Sequence, residues 1–286
     1  MLTDLQVNAD QQIPMPFKAA DDYAQLVMGW AKEFDGQANT AMIVQRDVAY
    51  GAHRLHRYNV FSPVGARNAP VVIFWHGGGW TNGYRDYNTF MAPHITALGC
   101  VLVSPSYRLV TEAKFPAAFD DSLAALAHVS QHIASSGGDP TRLYLAGHSA
   151  GAHLAALVAL RTTVPVRGCL PISGIMDLHH PLPAPGSLEE RVYNMVLVDP
   201  TQDAVMSPIC WTVGNRVPFD LTVGEHDSVR VRLSNRRMAE LLKLQPSGVN
   251  LRDMPGQSHF DTHTCLRDGH ATWYQRLKRV IKETSP

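Results

Sequence analysis

A serine stands between two glycines in the segment Gly147-His148-Ser149-Ala150-Gly151, which has the G-x-S-x-G spacing of a nucleophile elbow. In such an elbow a strand turns sharply into a helix, so the serine hydroxyl stands above the edge of a sheet. The flanking sequences "RLYLA" and "AHLAALVAL" are typical of that strand and that helix. The alternative is an ordinary turn of small residues, in which the same pattern also occurs. The flanks favour a nucleophilic serine.

A serine hydroxyl is a poor nucleophile at neutral pH, so a histidine must take its proton and a carboxylate must orient that histidine. The expected chain order is serine, then acid, then histidine. Downstream, the strand pattern "FDLTVGEHD" offers Glu225 and Asp227, and the loop "PGQSHFDTH" offers His259 and His263. We predict Asp227 as the acid, with Glu225 as the alternative. We predict His259 as the base, with His263 as the alternative.

The histidines His259 and His263 also have the i, i+4 spacing of a metal site. The glutamate of an HExxH motif is absent, however, and no third ligand is obvious from the sequence. We therefore expect no catalytic metal and no cofactor.

A second glycine motif, "HGGGW", follows an apolar strand pattern at residues 76–80. Attack on an acyl carbon places negative charge on the carbonyl oxygen, and backbone N–H donors must already point toward that oxygen. We predict the amides of Gly78, Gly79 and Ala150 as these donors. The alternatives are a glycine-rich surface turn and a phosphate loop, but the Gly-Lys-Ser/Thr of a phosphate loop is missing.

The elements that must position these motifs alternate along the chain, since segments rich in β-branched residues recur between helical patterns. This alternation predicts an α/β fold built from βαβ units around a mostly parallel sheet. Continuous apolar runs at Val71–Trp75 and Val101–Val103 suit central strands covered on both faces. The segments "HRLHRYNVFSP" and "APVVIFWHGG" are predicted to form an early antiparallel pair. Later strands are predicted at "CVLVSPSYRL", "RLYLAGHS", "RGCLPISG", "FDLTVGEHD" and "VNLRDMPG", and helices at about Asn88–Leu98, Phe115–Ser135, Ala150–Leu160, Val229–Leu244 and Cys265–Glu283.

One main domain is predicted over residues 46–286, preceded by an N-terminal segment over residues 1–45. That segment contains one helical stretch, "DDYAQLVMGWAKEF", which we expect to be part of the main domain or to cap it. Residues 176–206 are an insertion between two predicted strands, and they form either an ordinary crossover or a small lid. Ser187 and Glu190 have capping-box spacing, which predicts a short helix from about Leu188 to Val196.

Composition restricts the partners of this chain. The 25 basic and 25 acidic residues cancel, so electrostatics favour neither nucleic acid nor an anionic membrane. The four cysteines are scattered without CxxC spacing and are predicted to be reduced. No signal-peptide pattern or membrane-span pattern is present, so a cytoplasmic location is expected. We expect a small-molecule acyl substrate as the partner, and a homodimer is compatible with the sequence.

From Asp47 to the C-terminus the sequence resembles the α/β-hydrolase superfamily. It is most similar to the branch that contains hormone-sensitive-lipase-like carboxylesterases and kynurenine formamidases. The resemblance is carried by "DVAYG", "HGGGW", "SYRLVTEAKFPAAFDD", "GGDPTRLYLAGHSAGAHLA", "GEHDSVRVRLSNRRMAELL" and "SHFD". It implies an α/β-hydrolase fold, with a mostly parallel eight-stranded sheet, helices on both faces and a small insertion or lid. It also implies a serine hydrolase that works through an acyl-enzyme.

Within that branch the motifs divide between two activities. His148 in the elbow and the acid motif Gly-Glu-His-Asp look like the formamidase group, whereas Gly79 follows the esterase pattern. We expect an arylformamidase acting on an N-formylkynurenine-type amide. The alternative is a carboxylesterase for short-chain or aryl (feruloyl-like) esters, and a third reading is a non-catalytic ligand-binding protein of this fold.

Four aromatic residues close to the motifs are candidates for an apolar substrate pocket. The alternative for each of them is packing in the core. The candidates are Trp80, Tyr84, Tyr107 and Phe115.

Overall fold

An eight-stranded sheet forms the centre of the protein, in the order β1-β2-β4-β3-β5-β6-β7-β8. A computed structural model describes residues 18–37, 40–180 and 182–284. The parallel pairs run from β4 through β3, β5, β6 and β7 to β8, and only β1 and β2 are antiparallel to their neighbours. The strands are β1 Met42–Ala49, β2 Arg57–Pro63, β3 Ala69–Trp75, β4 Val101–Pro105, β5 Gly138–His148, β6 Gly168–Ile172, β7 Phe219–Gly224 and β8 Val249–Met254.

Helices connect and flank these strands, as the α/β pattern predicts. They are α1 Lys18–Asp35, α2 Ala92–Ala97, α3 Ala117–His132, α4 Ala150–Arg161, α5 Leu188–Arg191, α6 Val229–Lys243, α7 Asp261–Thr264 and α8 Thr272–Thr284. A 3-10 helix over Arg85–Met91 precedes α2, and a π-helical turn over Val192–Val196 follows α5. In the described part of the chain no helix is long and apolar enough to span a membrane. All four cysteines lie in that part, and each is a free thiol.

Strand β3 lies between β4 and β5 because its side chains are apolar without interruption. Every residue from Val71 to Trp75 is buried, which requires cover on both faces of the sheet. The predicted antiparallel pairing of the segments that hold β2 and β3 is therefore wrong. Strand β2 instead pairs antiparallel with β1 on one side and with β4 on the other.

Strand β1 is not predicted by the sequence pattern. Its alternation of buried and exposed residues is weak, and the register shifts between Gln45 and Val48, where Asp47 has a φ of 58°. The proposed boundary between residues 45 and 46 falls inside this strand.

Two helix predictions near the insertion and the C-terminus differ in outcome. The capping-box helix is confirmed, since α5 with its π-helical turn spans Leu188–Val196 and the Glu190 amide donates to Ser187 Oγ at 3.2 Å. The single helix predicted from Cys265 to Glu283 is wrong. The chain turns into extended backbone at Asp268 and the last helix begins only at Thr272.

Candidate active site

Ser149 lies at the turn between β5 and α4, with a φ of 55° and a ψ of −119°. This left-handed backbone is strained for a residue with a side chain, and such strain is typical of functional turns. The two flanking glycines allow the turn. A Cβ on Gly147 would lie 2.4 Å from the Gly151 carbonyl oxygen, and one on Gly151 would lie 2.1 Å from that of Trp75. The strand and the helix therefore approach closely only because both positions are glycine.

Three side chains from separate loops form one chain of hydrogen bonds. The Nε2 atom of His259 lies 2.9 Å from Ser149 Oγ, and its Nδ1 atom lies 2.6 Å from Asp227 Oδ1. Asp227 follows β7 and His259 follows β8, so both reach Ser149 from the carboxyl ends of parallel strands. This order and geometry match the arrangement in which a histidine takes the proton of a serine and a carboxylate orients the histidine.

Asp227 is held in its ionised form. Burial by itself raises the pKa of this carboxyl, but the hydrogen bonds from His259, from Ser173 Oγ at 2.6 Å and from the Gly224 amide at 2.7 Å outweigh burial. Together they lower the pKa of Asp227 below its ordinary value. A carboxylate that stays ionised can orient the imidazole and stabilise its protonated form.

The two alternatives to these residues lie elsewhere. Glu225 is exposed and accepts a hydrogen bond from the Gly256 amide at 2.8 Å. His263 is buried, and its Nδ1 atom lies 2.8 Å from the hydroxyl of Tyr23. Both ring nitrogens of His259 already lie within hydrogen-bond distance of Asp227 and Ser149. His259 and His263 are therefore not arranged to bind one metal ion together. Within the described residues no group of three or more His, Cys, Asp or Glu side chains could hold a metal ion.

Further hydrogen bonds hold the three loops together behind the reacting atoms. The carbonyl oxygen of His259 lies 2.8 Å from both His148 Nε2 and Thr262 Oγ1. Thr262 Oγ1 lies 2.8 Å from the hydroxyl of Ser173, which also bonds to Asp227. Since a carbonyl only accepts, His148 donates through Nε2, and burial lowers its pKa well below the ordinary value. Sequence reasoning missed Ser173 and Thr262, because single hydroxyl residues carry no motif.

The "HGGGW" turn contains two glycines whose backbone conformation suits no other residue well. Gly78 and Gly79 have φ values of 120° and 59°, and a Cβ on Gly78 would lie 2.1 Å from the Asn82 carbonyl oxygen. In the described part of the chain the amides of Gly78, Gly79 and Ala150 donate to no protein acceptor. His76 beneath them is buried, stacks on the ring of Tyr107 at 4.4 Å and has a pKa lowered by burial to about 4.

Comparisons with known proteins identify the family to which this fold belongs. A profile of the alpha/beta hydrolase fold matches residues 72–262, which is more than half of the chain. The chain belongs to the α/β-hydrolase family. It is similar to the carboxylesterase NlhH of Mycobacterium tuberculosis, with 44% identity over 98 residues, which are 34% of this chain and 31% of that protein. The alignment thus spans about a third of that relative.

Two other similarities cover almost the whole length of this α/β hydrolase. The kynurenine formamidase of Danio rerio is 26% identical over 279 residues, which cover 93% of this chain and 92% of that protein. An esterase structure from Pyrobaculum calidifontis superposes with a TM-score of 0.78 and 22% identity over 100% of both chains. The second similarity shows the fold alone.

A cavity of about 290 Å³ opens beside Ser149 in this hydrolase fold. Its walls are mostly apolar, and they include no Asp, Glu, Lys or Arg among the described residues. The lining residues are Ala20, Tyr23, Ala24, Gly78, Gly79, Asn82, Tyr87, His148, Ser149, Ile175, Ser228, Val231, His259 and Phe260. The cavity therefore suits a small uncharged group.

The four aromatic residues proposed from the sequence do not line this cavity, and that prediction is corrected. Trp80 packs edge-to-face against Phe115 at 6.0 Å, and both rings contact His153. Tyr107 donates to the His76 carbonyl oxygen at 3.0 Å, and Tyr84 lies under the guanidinium of Arg85. Each is at most 2% exposed and packs in the core, because proximity to a motif in sequence does not determine the direction in which a side chain points.

The insertion over residues 176–206 also lies apart from the cavity. None of its described residues is in the lining, although Ile175 immediately before it is. The insertion is joined to the rest of the fold by a bridge between Phe115 and Leu197 and by a bond of 2.8 Å from His153 Nε2 to the Met206 carbonyl oxygen. The N-terminal helix α1 contributes Ala20, Tyr23 and Ala24 to the lining instead.

Proposed function

We propose that this protein is a serine hydrolase that transfers a small acyl group to water through an acyl-enzyme. The observation that carries this proposal is the hydrogen-bonded series Ser149, His259 and Asp227 at the edge of a cavity that Gly78 and Gly79 also line. Nucleophile, base and oxyanion donors thus face one space of a size that a small substrate would fill.

In the proposed mechanism Ser149 Oγ attacks the substrate carbonyl carbon while His259 Nε2 takes the hydroxyl proton. The amides of Gly78, Gly79 and Ala150 bind the oxygen that becomes negative. When the tetrahedral intermediate collapses, His259 gives the proton to the leaving group and an acyl-enzyme remains. Water then attacks the acyl carbon with His259 again as the base, and Ser149 is released.

The substrate class we propose first is an arylformamide, in which a formyl group is cleaved from an aromatic amine. The similarity to a kynurenine formamidase over 93% of this chain supports it. The aromatic lining of Tyr23, Tyr87 and Phe260 supports an aromatic leaving group. An amino-acid head group would have to stay outside the cavity, because burying a charge without a partner is costly.

A carboxylesterase for short-chain or aryl esters is the second candidate. It is favoured by the local 44% identity to a carboxylesterase and by the glycine at position 79. Both candidates share the same acyl-enzyme chemistry, and they differ in the leaving group.

The experiment that tests the mechanism is labelling with a fluorophosphonate probe, followed by identification of the labelled residue. Labelling at Ser149 is expected, and Ser149→Ala is expected to abolish both labelling and turnover while leaving the unfolding midpoint nearly unchanged. A protein that does not react would instead be the non-catalytic ligand-binding member of this fold.

A second experiment separates the two substrate classes. We would compare kcat/KM for formanilide and N-formylkynurenine with kcat/KM for p-nitrophenyl acetate, butyrate and octanoate. A preference for the formamides supports the first candidate, and a preference for the esters supports the second.

A further inference from the structure

One face of helix α1 forms a wall of the cavity beside Ser149. Ala20, Tyr23 and Ala24 line the cavity, and their spacing of three and four places them on the same side of the helix. The two alanines have the smallest side chains that a helix of ordinary stability carries. Larger side chains are also compatible with a helix at these two positions. The free volume in this part of the cavity therefore depends on both residues being alanine.

Helix α1 is fixed to the main domain along its length. The Tyr23 hydroxyl lies 2.8 Å from His263 Nδ1, and the Tyr23 ring stacks on Phe260 at 4.9 Å. Farther along, Trp30 packs on Phe90 at 4.9 Å and Phe34 on Phe61 at 5.7 Å. Moving the helix would expose these aromatic rings and break a buried hydrogen bond, so the wall keeps its position when a substrate enters.

We propose that Ala20, Tyr23 and Ala24 of α1 set the size of the substrate group that lies beside Ser149, and that this group is uncharged. The proposal rests on the proposed function and deepens it. Ile175 and Val231 add further apolar surface to the cavity, and its described lining holds no Asp, Glu, Lys or Arg side chain, so a charged group would find no permanently charged partner there. The three residues of α1 thus select substrates by size, and the lack of a charged side chain in the lining selects uncharged substrate groups.

The size part is tested with Ala24→Leu and its matched control Ala19→Leu. Ala19 is exposed on the same helix, so the same side chain is added there outside the cavity. Two substrate pairs are measured, p-nitrophenyl octanoate against acetate and naphthyl acetate against phenyl acetate. In one of the two pairs, Ala24→Leu is expected to lower the ratio of kcat/KM for the larger substrate to kcat/KM for the smaller one about tenfold or more. One methylene group in an apolar pocket changes discrimination between substrates by roughly that factor.

Ala19→Leu is expected to leave both ratios as in the wild type. The pair that responds shows whether the cavity takes the acyl group or the leaving group. Unchanged ratios in both pairs for Ala24→Leu would overturn the proposal. Should Ala24→Leu not fold, Ala24→Val is measured in the same way, and it is expected to shift the same ratio by a smaller factor.

The charge part is tested with the wild-type protein and a matched pair of substrates, phenyl acetate and para-acetoxybenzoate. Phenyl acetate is expected to have the higher kcat/KM by about a hundredfold, because the carboxylate would be buried without a partner. Equal values, or a preference for the anion, would overturn this part. A wild-type protein that neither hydrolyses these esters nor reacts with a fluorophosphonate would instead refute the proposed function.

Discussion

At the scale of single residues, the structure distinguishes two acidic residues and two histidines that are close together in sequence. Asp227 and Glu225 are two positions apart in one loop, yet only Asp227 is buried and bonded to His259. His259 and His263 are likewise four positions apart, and only His259 is bonded to Ser149. In each pair the residue that the sequence favoured is the one that belongs to the hydrogen-bonded series with Ser149.

The first prediction concerns the acid. Asp227→Asn is expected to lower kcat/KM by up to about four orders of magnitude, because an amide in place of the carboxylate favours the wrong tautomer of His259. Glu225→Gln, a matched change two residues away, is expected to stay within about twofold of the wild type. The measurement is kcat/KM on the best substrate at neutral pH. If the losses were reversed, Glu225 would be the acid.

The second prediction concerns Ser173, which donates to Asp227 Oδ2 at 2.6 Å. The folded-state pKa of Asp227 is lowered, so the unfolded chain takes up this proton first as the pH falls. The stabilisation is therefore complete above the unfolded pKa of about 3.9 and is lost as the pH falls through the folded pKa. Ser173→Ala removes one of the hydrogen bonds that lower this pKa.

Ser173→Ala is expected to lower the free energy of unfolding by about 2 kcal/mol at pH 7, and by less at pH 3, because that pH lies below the unfolded pKa and part of the stabilisation is already lost there. Urea denaturation of both proteins at the two pH values measures the difference. A loss of the same size at both pH values would show that the bond does not depend on the charge of Asp227.

At the scale of elements, the distance between β5, α4 and β3 is set by glycines. A Cβ on Gly151 would lie 2.1 Å from the Trp75 carbonyl oxygen, so neither the helix nor the strand has room for it. Gly29 in α1 provides the contrast, because a Cβ there would meet nothing within 4 Å.

The third prediction follows from this contrast. Gly151→Ala is expected to lower the free energy of unfolding by roughly 3 kcal/mol and to reduce activity by displacing Ser149. Gly29→Ala is expected to raise it by about 0.5 to 1 kcal/mol, since alanine restricts the unfolded chain and favours the helix. Denaturation midpoints and kcat/KM are measured for both variants. Equal stability of the two would contradict the tight approach at Gly151.

At the scale of the whole molecule, several histidines are buried in neutral form. Burial lowers the pKa of His153 and of His263 to about 3, and it lowers that of His148 well below the ordinary value. These groups bind protons in the unfolded chain near pH 6.5 but not in the folded protein. Stability is therefore complete above that pH and is lost progressively as the pH falls toward the folded pKa values.

The fourth prediction is that the free energy of unfolding decreases steeply between pH 6.5 and pH 4. Each such histidine contributes about 1.4 kcal/mol per pH unit in this range. Urea denaturation at half-unit pH intervals measures the slope. A flat profile of the wild type would contradict neutral burial of these side chains.

The chemistry of the site could be predicted from sequence because each part is a local pattern. Each of these patterns spans no more than about ten residues. They are the glycine spacing of the elbow, the three glycines after β3, and a carboxylate and a histidine that each follow an apolar strand. Parallel strands then bring their carboxyl ends to one edge of the sheet, so these distant motifs meet without further information.

Tertiary structure alone decided what surrounds those residues. Tyr23 contacts His263 across 240 positions of sequence, and the edge order of β1 and β2 depends on pairing between distant segments. Aromatic and apolar patterns report that a side chain is buried but not against which partner, because burial of apolar surface has no direction. For that reason the sequence identified Ser149, Asp227 and His259 as groups that meet, whereas only the folded chain showed that α1, and not Trp80, Tyr84, Tyr107 or Phe115, lines the cavity.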